Sequence, residues 1–520
     1  MKNRTNGRWW AVGALALSGV VIGVDATVLS LALPNLATDL HASTSQLQWF
    51  VDAYLLILGA MMLPAGLLGD RFGRKRLLLA ALALFGLGSL ACAYATSPEQ
   101  LIGARALLGL AAAFVLPLSL SVLPVLFDED ERQRALAVVA SAAMLAYPLG
   151  PILGGWLLTH YWWGSVFLIN VPVIGLALLA VATLMPESRS ATRARLDLLG
   201  VLLSTAGLVA LTYGLIEAGE RGWGNPAALA WMAGGAVVLA GFAGWERRLA
   251  RSRTSQPLID LGLFGSRSFT WGVVLATLLS FALIGLLFAA PQYFRAVLGV
   301  DPMGAGVRLL PLIGGMIVGL AAGDRISRKA GAKITVAVGF AAAAVGLAIG
   351  ASTGIHDGSG FAVTWLAIAG FGTGVVLPAA MNAALSQLTG ERSGVGSALI
   401  SAVRQVGGTF GVAVLGSVLN SAYRSRLHLA GLPAQAADAV RDGVASGAAA
   451  AHELGSTAVL AMVQAAFVHG MDVLLAVSAG IAAVSVVLAL VFLPDRAGPR
   501  PAPATPGRPA EDLPAPVLSP

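Results

Sequence analysis

The stretch GDRFGRKR, residues 69–76, concentrates charge in a chain that is otherwise strongly apolar. Five of its eight residues are charged, whereas charged residues make up 11% of the whole chain. A related stretch, GDRISRK, follows at residues 323–329, and long apolar runs flank both copies. Each copy therefore marks a short polar connection between two hydrophobic segments, and the repetition suggests that the chain contains two related halves.

The overall composition indicates an integral membrane protein. Of the 520 residues, 57% are hydrophobic, and the charged fraction is less than half of the roughly 25% that soluble proteins carry. Helices satisfy every backbone polar group inside lipid. A β-barrel would instead show short alternating segments, and the apolar runs here are long and continuous. The net charge of +7 comes from arginines dispersed over short loops, which argues against a nucleic-acid surface.

The apolar runs predict fourteen membrane spans, since a helix needs roughly 20 residues to cross the bilayer core. The predicted spans are 10–34, 47–68, 77–95, 100–126, 136–159, 164–185, 196–217, 227–246, 269–293, 304–323, 333–352, 361–387, 396–420 and 469–493. An even number places both termini on one side. With that side cytoplasmic, the inner segments hold 25 Lys and Arg residues and the outer segments six, as the positive-inside rule requires.

Removing spans seven and eight leaves six spans plus six, with the two charged stretches at matching places. Two parallel six-helix halves around a central cavity are a known transporter architecture. The prediction comprises a six-helix bundle over 1–190, two additional helices over 191–250, a second bundle over 251–494 with a long outer loop at 421–468, and a disordered cytoplasmic tail over 495–520.

Five stretches resemble the major facilitator superfamily and, within it, its fourteen-span drug:proton antiporters. They are VDATVLSLALPNL (24–36) in span one, GLLGDRFGRKR (66–76) between spans two and three, RALLGLAAA (105–113) in span four, PLGPILGG (148–155) in span five and VRQVGGTFGVAV (403–414) in span thirteen. The resemblance covers nearly all the spans. It implies a fold of two six-helix bundles with two extra helices between them, and a multidrug efflux activity driven by protons.

Four charged residues inside the predicted spans are candidates for function, because a central ionisable residue costs about 2.5–3.5 kcal/mol on insertion scales. Asp25 lies roughly 14 Å deep in span one, and the family fold implies that Arg105 is nearby. We expect Asp25 to couple protons with Arg105 tuning it; a static ion pair is the alternative. Asp52 and Arg404 are assigned to the substrate cavity, although Asp52 could simply reach outer water and Arg404 could pair structurally.

The resemblance implies a conformational latch at Gly66, Asp70, Arg71, Gly73 and Arg74. Glycines at 66 and 69 would let neighbouring helices approach closely. Asp70 is expected to engage the start of span thirteen, since a carboxylate is favourable at a helix N-terminus.

The span-five stretch resembles the antiporter motif of the family, with Gly150, Pro151, Gly154 and Gly155. Proline removes a backbone hydrogen bond, and the glycines would allow close approach to the opposite half. The resemblance implies a contact between the halves that hinders leakage.

These observations predict a proton-coupled exporter of drug-like amphipathic molecules in the plasma membrane. A transporter of one metabolite and, from another class, a membrane scaffold are the alternatives. Polar residues are dispersed and no Walker sequence is present, so we expect no enzyme activity, catalytic residue, cofactor or metal site. The expected partners are a small-molecule substrate, protons and the lipid bilayer, with no nucleic acid, and we expect a monomer.

Overall fold

A computed structural model of the chain describes residues 2–127, 129–185, 187–188, 197–251, 259, 261–386 and 390–494; some helix side chains, Asp70 among them, lie outside that description. The described residues are helical and form no strand. The first seven helices are α1 Lys2–Asp39, α2 Thr44–Phe72, α3 Arg74–Ala93, α4 Pro98–Leu126, α5 Glu129–His160, α6 Ser165–Leu168 and α7 Asn170–Leu184. The others are α8 Leu198–Arg221, α9 Pro226–Arg251, α10 Arg267–Gln292, α11 Pro302–Gly350, α12 Ser359–Leu385, α13 Gly390–Ser425, α14 Ala434–Asp442, α15 Val444–Glu453 and α16 Thr457–Phe492.

Twelve candidate membrane spans are found in the described part of the chain, so the prediction of a multi-pass helical membrane protein is confirmed and the count of fourteen is not. Two helices differ from the predicted list of spans. The predicted spans 304–323 and 333–352 both fall within α11, which is 49 residues long and is interrupted by the non-helical Gly331 (φ 80°, ψ 170°). Helix α5 coincides with the predicted span 136–159 but is not among the twelve.

The long helices run back and forth between two faces of the molecule. We call them the His41 face, where α1 turns into α2, and the Gly73 face, where α2 turns into α3. Both turns need positive φ, which is 51° at His41 and 113° at Gly73. The stretch predicted as a long loop, 421–468, contains the two short helices α14 and α15 on the His41 face, and α16 begins at Thr457, before the predicted span.

Helices α1–α7 form one bundle and α10–α13 with α16 form another. The bundles meet along two seams, α2 against α13 and α5 against α11. In the first seam, Gln48 Nε2 donates to the Val412 carbonyl at 3.1 Å. In the second seam, the Met303 backbone N–H donates to Thr159 Oγ1 at 3.2 Å. Both contacts lie toward the His41 face, so the halves are joined there.

Candidate functional site

The most polar buried feature of the first bundle is an ion pair between Asp25 on α1 and Arg105 on α4. Arg105 Nη1 donates to Asp25 Oδ2 at 2.7 Å, and both side chains are 1% exposed. Asn170 Nδ2 on α7 donates to Asp25 Oδ1 at 3.2 Å and to Ser89 Oγ on α3 at 3.3 Å. Both carboxylate oxygens thus accept a hydrogen bond inside the bundle, and Asp25 does not face lipid.

The guanidinium of Arg105 has two further partners, both on α2. Its Nε donates to the Phe50 carbonyl at 3.0 Å, and its Cζ lies 4.4 Å from the centre of the Tyr54 ring. Helix α4 approaches α2 closely because Gly109, one turn beyond Arg105, packs on the Tyr54 backbone where a Cβ would collide. This approach places the arginine over the ring, a cation–π geometry that is worth about 2 kcal/mol or more when water is excluded.

Asp52 on α2 is fully buried, and neither of its carboxylate oxygens has a hydrogen-bond partner among the described residues. It lies on the face of α2 that packs against α13. One turn before it, Gln48 bonds to Val412, and two turns after it, Gly59 packs against Val406. The interpretation that Asp52 reaches outer water is wrong, because the seam between the two halves covers it.

Arg404 on α13 lies inside the second bundle and is partly buried. Its Nε donates to Ser280 Oγ on α10 at 3.1 Å, and its Nη1 lies 4.0 Å from Met381 Sδ on α12. The structure therefore brings Asp25 and Arg105 together and leaves Asp52 and Arg404 at separate places.

The stretch at 66–76 makes its described contacts within its own half. Gly73, at positive φ, lies where a Cβ would be 2.7 Å from Glu187 Oε1. Glu187 accepts from the Lys75 backbone N–H at 3.2 Å and lies 3.6 Å from Arg76 Nε. The Arg74 backbone N–H donates to the Ser188 carbonyl at 3.0 Å. This polar cluster holds the turn after α2 against the end of α7.

Two expectations for this stretch have different outcomes. Close helix approach is correct at Gly69, which packs on Leu118 of α4, but wrong at Gly66, where a Cβ would meet nothing within 4 Å. Arg71 is exposed, with its guanidinium 5.3 Å from the Phe72 ring. The predicted contact of Asp70 with the start of α13 lies outside the described side chains.

The span-five stretch lies between the bundles. A Cβ on Gly155 would be 2.9 Å from Met303 Cα, and Gly306 of α11 packs on the Pro151 carbonyl. These are the close approaches to the opposite half that the glycines predict. Gly150 and Gly154 instead pack on Thr27 and Val28 of α1, within their own half.

A small cavity of about 20 Å³ lies between the two bundles, lined by α1, α5, α10 and α11. Its polar side chains are Thr27 and Ser30 on α1, and the other lining residues, including Pro151, are apolar. A second, largely apolar cavity of about 20 Å³ lies inside the second bundle. The described parts of the chain contain no group of three or more His, Cys, Asp or Glu residues suited to a metal ion.

Sequence reasoning missed the neutral polar side chains of the site. Asn170, Ser89 and Gln48 are buried and hydrogen bonded. Asn170 and Ser89 each stand in the sequence as one polar residue within an apolar run, whereas Gln48 follows the polar stretch STSQ (43–46). A buried amide among apolar side chains needs a partner, and that requirement was the available signal.

Comparisons with known proteins agree with this architecture. The model of the Major Facilitator Superfamily matches residues 15–412. The chain is 34% identical over 469 residues to the multidrug efflux pump LfrA of Mycolicibacterium smegmatis, covering 89% of this chain and 92% of that protein. It is 33% identical over 414 residues to the tetracenomycin C resistance and export protein of Streptomyces glaucescens, covering 79% and 76%.

Solved structures agree in fold. A bacterial homologue of the human lysosomal transporter Spinster, in an inward-facing and occupied conformation, superposes with a TM-score of 0.68 at 15% identity, over 93% of this chain and 96% of that one. A D-xylose-proton symporter superposes with a TM-score of 0.60 over 94% and 98%, also at 15% identity. Since the family match spans most of the chain and both bundles have the expected form, this protein belongs to the Major Facilitator Superfamily, a family of transporters and not of enzymes.

Proposed function

We propose that this chain is a proton-driven exporter that moves drug-like amphipathic molecules across the plasma membrane by alternating access. The export direction and the substrate class follow from relatives whose names describe multidrug efflux and the export of tetracenomycin C. The observation that carries proton coupling is the Asp25 carboxylate, enclosed between Arg105 and Asn170 inside the first bundle.

Proton binding at Asp25 would change the packing of two helices. In the described state the carboxylate accepts hydrogen bonds from Arg105 and Asn170, so its charge is paired with the guanidinium. A proton on Asp25 removes that charge and leaves Arg105 with the Phe50 carbonyl and the Tyr54 ring, both on α2. The interaction between α1 and α4 weakens, whereas the contacts between α2 and α4 remain. Protonation therefore shifts the equilibrium between positions of α1 in its bundle.

Helix α1 also links this network to the substrate. Thr27 and Ser30, which line the cavity between the bundles, follow Asp25 on the same helix within about 8 Å at 1.5 Å per residue. A shift of α1 on protonation therefore alters the cavity wall directly. Binding of a substrate that favours one position of α1 would in turn change the affinity of Asp25 for a proton.

The other predicted site residues are proposed to act at the seams between the halves. Pro151 and Gly155 form the α5 side of the contact that keeps the cavity closed at the His41 face, and Gly150 and Gly154 hold α5 against α1 behind that contact. Asp52 becomes accessible when α2 separates from α13, and Arg404 meets substrate in the second bundle. Gly66, Asp70, Arg71, Gly73 and Arg74 act as a latch at the Gly73 face.

We also propose fourteen spans with both termini in the cytoplasm. At 1.5 Å per residue, α11 is about 74 Å long, more than twice the bilayer core of about 30 Å, and the bend at Gly331 divides it into two crossings. Helix α5, at 32 residues, supplies the remaining crossing. The basic residues concentrated at the Gly73 face support a cytoplasmic assignment for that face. The proposed units are the bundles over 1–190 and 251–494 and the inserted pair over 191–250, acting as a monomer.

A proton gradient supplies enough energy for this exchange. One charge moved through 100 mV gives about 2.3 kcal/mol, and 1.4 kcal/mol corresponds to a tenfold ratio. One proton therefore sustains roughly a fifty-fold substrate gradient.

The test uses inverted membrane vesicles acidified by respiration, with a fluorescent reporter of the internal pH. Substrates from a panel of diverse toxic amphipathic compounds should release protons from vesicles that contain the wild type. Asp25→Asn should abolish the release, whereas Asp25→Glu should retain part of it. Asp438→Asn is the matched control, because Asp438 is an exposed carboxylate on α14 that pairs with Arg441.

Membrane content of each variant is measured by immunoblot, so that loss of protein is separated from loss of activity. Normal proton release by Asp25→Asn would refute the coupling role. A response to a single metabolite and to none of the amphipathic compounds would refute the drug-export assignment and favour the metabolite transporter.

A further inference from the structure

The inserted helix α8 is attached to the seam between the two halves. Three side chains of α13 donate hydrogen bonds to its backbone carbonyls. Ser417 Oγ bonds to Leu215 at 2.8 Å, Asn420 Nδ2 to Gly219 at 3.4 Å and Arg424 Nη1 to Glu220 at 2.7 Å. Gly219 packs directly on Ser417, at a position where any Cβ would collide.

Helix α8 also contacts the other side of the seam. The rings of Trp49 on α2 and Tyr213 on α8 are 6.3 Å apart. On α13, Gly416 packs on the side chain of Gln48 of α2, one residue away from the Ser417 that bonds to α8. Helices α2, α8 and α13 therefore meet along a common line and enclose a three-helix junction.

Asp52 and Thr212 lie in this junction within about one helical turn of each other along its length. Thr212 shares a face of α8 with Leu215 and Gly219, at the three- and four-residue spacing of one helix face, and that face contacts α13. Asp52 is three residues after Trp49 on α2, and Thr212 is next to Tyr213 on α8. Because the Trp49 and Tyr213 rings are in contact, Asp52 and Thr212 lie at a similar height along the junction. Asp52 and Thr212 are both fully buried.

Several buried polar atoms in the junction have no hydrogen-bond partner among the described residues. The buried atoms without a partner are Gln48 Oε1, both oxygens of Asp52, Thr212 Oγ1, Asn420 Oδ1 and, at the His41 end of α13, Arg424 Nε. Around Asp52 itself these atoms are acceptors and one hydroxyl, so the missing group there is a hydrogen-bond donor. Burying an isolated ionised carboxylate without a partner requires a large free energy, whereas burying the neutral acid requires much less.

Charged groups on the neighbouring helices do not neutralise Asp52. Arg105 on α4 is paired with Asp25, Arg221 on α8 is paired with Glu217 at 2.9 Å, and Arg404 on α13 bonds to Ser280 of its own bundle. No ion pair to Asp52 occurs in the described part of the chain. A proton is the smallest ligand that supplies both the missing donor and the missing positive charge.

We propose that Asp52 is a second proton-binding site, distinct from Asp25, and that the inserted helix α8 forms one wall of it with Thr212 as a positioning residue. When the seam is open, a hydronium ion from the His41 face gives its proton to one carboxylate oxygen of Asp52; one O–H bond of the hydronium ion breaks, an O–H bond forms on Asp52, and a water molecule leaves. The neutral acid is then enclosed as α2 and α13 close with α8 over them. This deepens the proposed function, on which it rests, and gives the two additional helices a role in coupling.

The test labels the purified full-length protein in detergent with dicyclohexylcarbodiimide, which reacts with protonated carboxyl groups in apolar surroundings, and maps the adducts by mass spectrometry across a pH series. Asp52 should be labelled. Thr212→Val should extend the labelling of Asp52 to higher pH, because it removes a hydroxyl that can donate to the carboxylate once the proton has left. One hydrogen bond to a charged group corresponds to about a tenfold change in proton affinity, or about one pH unit.

Thr212→Ser retains the hydroxyl and should follow the wild type, so the pair of variants separates a hydroxyl effect from a change in packing. Failure to label Asp52 at any pH, with its peptide detected, overturns the site. Equal pH dependence in Thr212→Val and Thr212→Ser overturns the role of α8. Labelling needs no substrate or gradient, so its outcome is independent of the vesicle assay that tests proton-driven export.

Discussion

Removing one partner of the Asp25–Arg105 pair should destabilise the protein more than removing both. Asp25→Leu leaves the guanidinium of Arg105 buried without its carboxylate, and the loss of one partner of a buried pair costs about 3–5 kcal/mol. The Phe50 carbonyl and the Tyr54 ring remain in contact with the guanidinium, and the ring is worth about 2 kcal/mol. We therefore expect a net loss near the lower end of that range, about 3 kcal/mol.

The double variant Asp25→Leu/Arg105→Leu removes both charges from a site that is 1% exposed. Replacing a buried pair with apolar side chains of similar volume is often neutral or stabilising. We expect its stability within about 1 kcal/mol of the wild type, while proton release in vesicles is lost. Asn170 then lacks its carboxylate partner but keeps Ser89, which limits the remaining penalty.

The assay is a double-mutant cycle on unfolding in mixed detergent micelles, followed by tryptophan fluorescence, with Asp25→Leu, Arg105→Leu and the double variant. The coupling energy is the difference between the double variant and the sum of the two single ones. Additive single effects would refute the description of Asp25 and Arg105 as one electrostatic unit. A double variant that still exchanges protons for substrate would place the coupling elsewhere.

Two further predictions concern the close contacts of glycines, and a third concerns the partly buried acid Asp442. Gly155→Ala places a methyl group against Met303 of α11 and should separate the two halves at the His41 face. Cross-linking between cysteines placed at the His41 ends of α5 and α11 should then fall. The control Gly66→Ala adds a methyl group in open space and should leave the cross-linking unchanged. Gly73→Ala combines positive φ with a clash and should cost about 1–3 kcal/mol in the same unfolding assay, against no measurable change for Gly66→Ala. Burial raises the pKa of Asp442 at the end of α14, so the folded state binds a proton more tightly than the unfolded state and stability falls as the pH rises through that raised pKa. The hydrogen-exchange protection factors of α14 and α15, which correct for the intrinsic pH dependence of exchange, should therefore rise on acidification, and Asp442→Asn should remove that rise.

The charged stretches and the resemblance of five motifs were sufficient to predict the family and the bundle architecture. Both depend on local patterns: apolar length predicts a crossing, and charge density predicts a connection. Helix boundaries were less predictable than crossings. The predicted spans 304–323 and 333–352 fall within the single helix α11, which Gly331 interrupts.

The candidate site was predictable only where charge made it visible. Asp25, Arg105, Asp52 and Arg404 stand out among apolar neighbours, and the structure places all four within the protein. Their partners did not stand out. Asn170 is one neutral amide, and its bond to Asp25 joins residues 145 positions apart.

The sequence by itself determined that this chain crosses a membrane many times, that its two halves carry matching charged turns, and that a few charges lie inside apolar helices. These follow from the cost of placing polar groups in lipid, which is a property of each segment alone. Only the tertiary structure decided that Asp25 is paired, that Asp52 is enclosed without a partner, and that the inserted helix α8 lies over the seam. These depend on the distances and packing between helices far apart in the chain, because the state of a buried carboxylate is set by the groups that surround it.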